Sequence, residues 1–334
     1  MIGMYKIAFL VCLPNWYSQY IYQMKSSITL LLFASFGFFI SSCDNNIAIQ
    51  PADEVPVDLD ITELSGTGSF IFAEHTPLSD KPINVFYHIP ANATSTTPIL
   101  VVYHGSSRDG ANSRNLLMDE ANAFGFIVIV PEFSTRYFPG GDAFNLGNIF
   151  EDGDNPSPAT LVAQEEWTFS LIDPLFDYFK SRINSNVTQY DVFGFSGGAQ
   201  FAHRHLIFKP NDKINRTVAA SSGWYTVVDN TIDFPYGTKL SPEETTNYAS
   251  LLEKSLTIMV GSDDDDPNSA GLRHNDFADA QGLNRVARAN HFYAESLKLA
   301  TDIGVASNWK LQILPDVNHN YEATSSAAAV LLYK

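Results

Sequence analysis

Three short apolar runs, Ile99–Tyr103, Ile127–Val130 and Leu256–Val260, are the strongest hydrophobic signals beyond residue 60. A strand with one wet face alternates apolar and polar positions. These runs do not, so they read as parallel strands covered on both faces. Further β-rich runs at Gly68–Ala73, Ile83–Ile89, Asp191–Phe195, Thr217–Ala220 and Lys310–Leu314 bring the number to eight. Between them the pattern turns helical near 113–124, 162–182, 198–208, 243–253, 279–302 and 322–333. Trp167, Leu171, Leu175 and Phe179 recur every fourth residue, with Pro174 interrupting that face. Leu283, Val286, Ala287, Ala294 and Leu297 form a second amphipathic face before a stop at Gly304. Strand–helix alternation without an internal repeat predicts one doubly wound α/β domain over 61–334, its first two strands antiparallel. A ligand should lie at the carboxyl ends of the strands.

Upstream of that domain the pattern changes character. From Met24 the chain carries Lys25, an apolar run from Ile28 to Ile40, then Ser41, Ser42 and Cys43. A bilayer span needs about 20 apolar residues, so this run fits the core of a signal peptide. Its Ile-Ser-Ser-Cys end resembles the lipobox of bacterial lipoproteins, which implies a lipidated Cys43, a membrane anchor and a place in the cell envelope. The alternative is an ordinary cleaved signal with a chance cysteine. On the lipoprotein reading, 24–42 is the signal peptide and the acidic, proline-containing stretch 43–60 is a tether. Residues 1–23 would bury the signal core, so translation is expected to begin at Met24.

Charge and cysteine usage narrow the function classes. The 334 residues hold 20 Lys and Arg against 37 Asp and Glu, a net charge of −17. Such a chain is repelled by phosphate backbones, which argues against nucleic-acid binding. Only two cysteines occur, Cys12 and Cys43, both ahead of the domain, so zinc ribbons, redox dithiols and disulfide scaffolds are excluded. A monomer is expected.

One strand end carries chemistry. Asp191–Phe195 runs into Ser196, and Gly194, Ser196 and Gly198 form G-x-S-x-G between a predicted strand and a predicted helix. The serine of such an elbow sits on a turn too sharp for flanking side chains, and the following helix aims its amides at developing negative charge. The bland alternative is a glycine-rich turn with an idle serine. A nucleophilic serine needs a base, and the base needs an orienting acid. In this architecture the chain order is Ser, acid, His, with acid and His after late strands. Leu256–Val260 is followed by Gly261, Ser262 and four aspartates, Asp263–Asp266. Lys310–Leu314 is followed by His319, alone among eight histidines in trailing the last strand. The oxyanion hole needs the amide after the nucleophile, Gly197, and one from the loop after the third strand, where His104-Gly105 points to Ser106. His104 reads as a brace for that loop.

These stretches together resemble an α/β-hydrolase, and within that superfamily the poly(3-hydroxybutyrate) depolymerase and feruloyl-esterase-like group. The matching segments are YHGSSRDGANSR, IVIVPEFS, YDVFGFSGGAQFAHR, SGWYTVVD with FPYG, VGSDDDDPN with QGLNRVARANHFY, and LPDVNHNYE, in order over most of 61–334. The resemblance implies a mostly parallel eight-stranded sheet with helices on both faces. It also implies a Ser–Asp–His hydrolase without metal or organic cofactor. The family's acid stands three residues past the strand-end glycine, which falls on Asp264; Asp266 is the alternative and otherwise caps the following segment. Asp263–Asp266 lack the ligand spacing of a calcium loop. Gly197 departs from the family, where a larger residue often follows the nucleophile. No polymer-binding domain or Ser/Thr-rich linker is visible.

Other residues admit two readings. Trp224, Tyr225, Phe234 and Tyr236 either wall an acyl pocket or pack a long loop onto the core. The glycine-rich, aromatic segment 133–158 is a substrate-contacting lid or a surface excursion. Arg108 and Arg114 either grip a substrate carboxylate or tie the oxyanion loop to acidic neighbours. The first expectation is a serine carboxylic-ester hydrolase working through an acyl-enzyme on an extracytoplasmic small-molecule or polymeric ester. A serine peptidase and a catalytically silent surface binder are the alternatives.

Overall fold

The computed structural model describes residues 65–242 and 247–334. The signal segment, Cys43 and the tether lie outside the described residues, as does the expected domain start at 61.

Eight strands form one sheet: β1 (Gly66–Phe72), β2 (Ile83–Ile89), β3 (Ile99–Tyr103), β4 (Ile127–Glu132), β5 (Tyr190–Phe195), β6 (Ile214–Ala220), β7 (Ser255–Gly261) and β8 (Lys310–Leu314). Their spatial order is β1-β2-β4-β3-β5-β6-β7-β8. β1 with β2 and β2 with β4 pair antiparallel, and every later pair is parallel. The order doubles back at β3, so β3 and β5 sit adjacent at the sheet's middle. That switch point is where a crevice opens in an α/β sheet.

The absence of alternation in the central strands has a direct cause. Ile99, Val101 and Tyr103 of β3 face one core, while Leu100 and Val102 face another; Ile127 and Ile129 of β4 oppose Val128 and Val130 in the same way. Helices cover both faces. α3 (Ile172–Arg182), α4 (Gly197–Phe208) and α7 (Arg285–Ile303) contribute to the first core. α8 (Tyr321–Tyr333), with Leu117 and Ala121 at α2 (Met118–Phe124), closes the second. The edge strand β8 is much wetter than the middle, with Ile313 46% exposed.

The 162–182 segment is not one helix. Two 3-10 turns, Gln164–Glu166 and Thr168–Leu171, precede α3. Pro174 therefore falls in the first turn of α3, where backbone amides have no intrahelical partner and a missing N–H costs nothing. The 113–124 pattern likewise splits into α1 (Gly110–Asn115) and α2. α5 (Tyr248–Leu252) is shorter than its pattern, and α6 (Asp276–Ala280) breaks off ahead of α7.

Candidate active site

At the end of β5 the chain turns through Ser196 with φ 54° and ψ −113°, and α4 starts at the next residue. The turn is so tight that a Cβ on Gly194 would stand 2.2 Å from the Gly198 carbonyl oxygen, and one on Gly198 would stand 2.0 Å from that of Tyr103. Both obstacles are backbone and cannot swing away, which is the steric reason for the flanking glycines. The Ser196 N–H is anchored on the Ala220 carbonyl at 2.9 Å.

The loop after β8 brings in His319. Its Nε2 lies 3.2 Å from Ser196 Oγ and its Nδ1 lies 2.7 Å from Asp264 Oδ2. The ring packs on Phe195 at 4.7 Å. Asp264, after β7, is buried, whereas Asp263, Asp265 and Asp266 are exposed. Burial by itself would raise the Asp264 carboxyl's pKa. The hydrogen bond and charge of His319, with the Arg285 guanidinium, outweigh it and hold the group below its ordinary range. Asp266 does not reach the histidine: its Oδ1 accepts the Asn268 N–H at 2.8 Å, a cap on its own turn.

On the other side of Ser196, a Cβ on Gly197 would lie 3.4 Å from Ser106 N and 2.9 Å from Ser106 Oγ. Ser106 and Gly197 are thus immediate neighbours beside Ser196, and a larger residue at 197 would press into the Ser106 loop. His104, fully buried, holds that loop: its Nε2 accepts the Phe133 N–H at 3.0 Å, and its Nδ1–H donates to the Gly105 carbonyl at 3.0 Å. Burial drives its pKa down to about 4.

The arginines correct the expectation of acidic partners. Arg108 donates to the carbonyls of Phe133, Phe138 and Gly140, with its guanidinium 4.0 Å over Phe144. Arg114 donates to the Gly68 carbonyl and to Asn115. For Arg108 this geometry favours a tie between the loop after β3 and segment 133–158 over a grip on substrate. Trp224 and Tyr225 are corrected as pocket walls. Trp224 is 3% exposed and packs under the guanidinium groups of Arg204 and Arg273, and Tyr225 is wholly buried against Phe292. Phe234 and Tyr236 line a cavity of about 650 Å³ with Asp154, Asn275 and Phe277, and neither Ser196 nor His319 is in its lining. Segment 133–158 is no idle excursion. Asp154–Pro156 border that cavity, Phe144 lies against Gly197, and Asn145 Nδ2 donates to Gln200 Oε1 at 2.7 Å, one turn beyond Ser196.

Sequence reasoning did not single out Arg285. Its Nη1 lies 3.2 Å from Asp264 Oδ1 and 2.7 Å from Ser269 Oγ. One signal was available. Arg285 opens α7, and a cation at a helix N-terminus opposes the helix dipole unless an anion compensates.

No family model matches the chain, and no curated protein does. Among solved structures it is similar to poly(aspartic acid) hydrolase-1 from Sphingomonas sp. KT-1, at 37% identity over 81% of this chain and 100% of that one, with a TM-score of 0.75. A poly(3-hydroxybutyrate) depolymerase from Bordetella parapertussis matches at 27% identity, 81% and 90% coverage and a TM-score of 0.74. An S-formylglutathione hydrolase from Agrobacterium tumefaciens, at 15% identity over 81% and 95% and a TM-score of 0.50, shares the fold alone. With that sheet, that elbow and these relatives, the chain belongs to the α/β-hydrolases, in the family of the poly(aspartic acid) hydrolase and the poly(3-hydroxybutyrate) depolymerase, and is a hydrolase.

Proposed function

We propose that this hydrolase cleaves carboxylic esters through an acyl-enzyme, with Ser196 as nucleophile, His319 as general base and acid, and Asp264 as orienting acid. One observation carries the reading: Ser196 Oγ is 3.2 Å from His319 Nε2, whose Nδ1 is 2.7 Å from a buried carboxylate. That order of contacts fixes the tautomer in which Nε2 is free to accept the serine proton. As Oγ attacks the carbonyl carbon, His319 takes its proton, and the carbonyl oxygen gains negative charge beside the amides of Gly197 and Ser106. The N-terminal end of α4 adds its dipole there. His319 then returns the proton to the leaving alkoxide, and water repeats the sequence to release the acid.

A second reading is amide cleavage by the same residues. The name of the Sphingomonas relative favours it, since poly(aspartic acid) is joined by amides. A silent surface binder is disfavoured, because binding alone gives no reason for a serine, an imidazole and a buried carboxylate to stand in hydrogen-bonded series. A fluorophosphonate probe should label Ser196 and leave Ser196→Ala unlabelled; no labelling of the wild type would sink the nucleophile assignment. A panel of p-nitrophenyl, feruloyl and acetyl-sugar esters, run beside 3-hydroxybutyrate oligomers and poly(aspartic acid), separates ester from amide chemistry.

The site is proposed to work in the bacterial cell envelope, anchored through a lipid on Cys43. The run Ile28–Ile40 followed by Ser41-Ser42-Cys43 supports this. Cys43→Ala should abolish membrane association, and an intact mass showing an unmodified N-terminus elsewhere would defeat the anchor.

A further inference from the structure

We propose that Arg285 is a positioning residue for the orienting acid, clamping one oxygen of Asp264 while His319 holds the other, and that its charge sets the pH range of the reaction. The inference rests on the Ser196–His319–Asp264 reading. Arg285 is 3% exposed and Asp264 is 3% exposed, so the pair is shielded from bulk water. Asp264 Oδ1 meets Arg285 Nη1 at 3.2 Å, and Oδ2 meets His319 Nδ1 at 2.7 Å. The same Nη1 donates to Ser269 Oγ at 2.7 Å, which fixes the guanidinium from the loop that follows the acid. A carboxylate held through one oxygen can swing. Held through both, it dictates the plane of the imidazole.

The surroundings hold few competing charges. Tyr225, wholly buried, faces both Asp264 and Arg285, and burial drives its pKa up, so it stays neutral. Ser221 faces the carboxylate from the end of β6. Arg288, the other buried cation on α7, is engaged by Asp279 at 2.9 Å. The neighbouring carboxylates, Asp263, Asp265 and Asp266, point to solvent. When His319 takes the serine proton, a single buried carboxylate therefore stands between two cations. Arg285 offsets part of that carboxylate's pull on the imidazolium. The ascending limb of the pH profile then stands at lower pH than an unclamped acid would give.

The test uses the full chain and p-nitrophenyl acetate, reading kcat and KM across pH. Arg285→Gln should move the ascending limb of kcat/KM to higher pH by about one unit. It should also lower kcat about tenfold with little change in KM, because orientation and not binding is lost. Arg285→Lys restores the charge and should return the limb to its wild-type place. An unmoved limb in Arg285→Gln, or an equal shift in Arg285→Lys, would overturn the proposal in favour of packing alone. If Arg285→Gln does not fold, Ser269→Ala decides the matter: it loosens the guanidinium while keeping its charge, and should cut kcat several-fold with the limb in place. An unchanged kcat there overturns the clamp. Ser196→Ala distinguishes the two levels. If it still turns over, the triad reading falls and this inference with it; if it is dead while the limb does not move, only the inference falls.

Discussion

Ser196 and His319 face each other across 3.2 Å, yet the two sides of that contact are held in different proportions by sterics and by charge. On the Ser196 side, backbone packs on backbone at the centre of the sheet. The elbow between β5 and α4 is so tight that a Cβ on Gly194 would meet the Gly198 carbonyl, and it presses on the end of β3 so closely that one on Gly198 would meet the Tyr103 carbonyl. On the His319 side, β8 is the sheet's edge strand and β7 its neighbour, and their loops are tied by hydrogen bonds. The Ser262 N–H donates to the Leu314 carbonyl at 2.8 Å, the Asp263 N–H to the Val317 carbonyl at 2.9 Å, and the Asp316 N–H to Ser262 Oγ at 2.8 Å. Sterics act on both sides, since a Cβ on Gly261 would stand 2.0 Å from the Val317 carbonyl oxygen, but the edge adds a buried carboxylate held by an imidazole and a guanidinium. Each should therefore fail in its own way.

The largest effect should come from the contact that joins them. Ser196→Ala and His319→Ala are each expected to lower kcat by about four orders of magnitude or more, and the double variant should be hardly worse than either, since such residues act as a unit. Thermal melting should barely change, because neither substitution removes core. Retention of more than a few per cent of turnover would break the assignment. At the edge, Asp264→Asn should cost nearly as much by unsettling the imidazole's tautomer, while Asp266→Asn should change turnover less than about twofold. The reverse pattern would show that the acid loop has been read in the wrong register.

At the centre the failure should appear in the fold. Gly198→Ala puts a methyl 2.0 Å from the Tyr103 carbonyl oxygen, a backbone atom that cannot move without displacing β3. A loss of about 3 kcal/mol or more in urea unfolding is expected, in the range of overpacked cores. Near-native stability would mean that the elbow is softer than its geometry indicates.

The same contrast explains what was legible beforehand. The strands and the order of Ser196, the acid and His319 along strand ends could be read because they rest on local pattern and on glycines that sterics demand. Asp264 could not be separated from Asp266 by spacing alone; a family resemblance was needed, since which carboxylate turns inward is decided by loop packing. Arg285 escaped notice because its partner lies 21 residues away, as did the Asn145–Gln200 pair, 55 residues apart. Trp224 and Tyr225 looked like pocket walls because aromatics after a strand suit either role; stacking between Arg204 and Arg273 put the first inside, and contact with Phe292 the second. Helical periodicity also overran α3, because 3-10 turns keep nearly the same apolar face while breaking the helix axis.

A further predicted effect separates centre from edge by pH. His104 has an ordinary pKa of 6.5 that burial lowers to about 4 in the fold. Both its ring nitrogens are used in the neutral form, one accepting the Phe133 N–H and the other donating to the Gly105 carbonyl. A proton on Nε2 would set two donors against each other. The unfolded chain binds that proton near 6.5 and the native one does not, so this contribution is full above 6.5 and is lost as pH falls toward 4. A shift of that size corresponds to about 3 kcal/mol. Asp264 behaves differently. Its carboxyl is held below its ordinary value of 3.8, so its contribution is present above that value and is lost only at still lower pH. Acid should therefore loosen the centre before the edge. Urea unfolding of the wild type between pH 7 and 4 should show stability falling through that window. His104→Asn, though less stable at pH 7, should flatten the slope. It should not abolish it, since His203, wholly buried on α4, is pushed the same way by burial. Asp264→Asn should leave the slope in that window intact. A wild-type stability that stays level from 6.5 to 4 would show that the buried imidazole on the loop after β3 can take up a proton without penalty, and the distinction between the two sides would lose its electrostatic half.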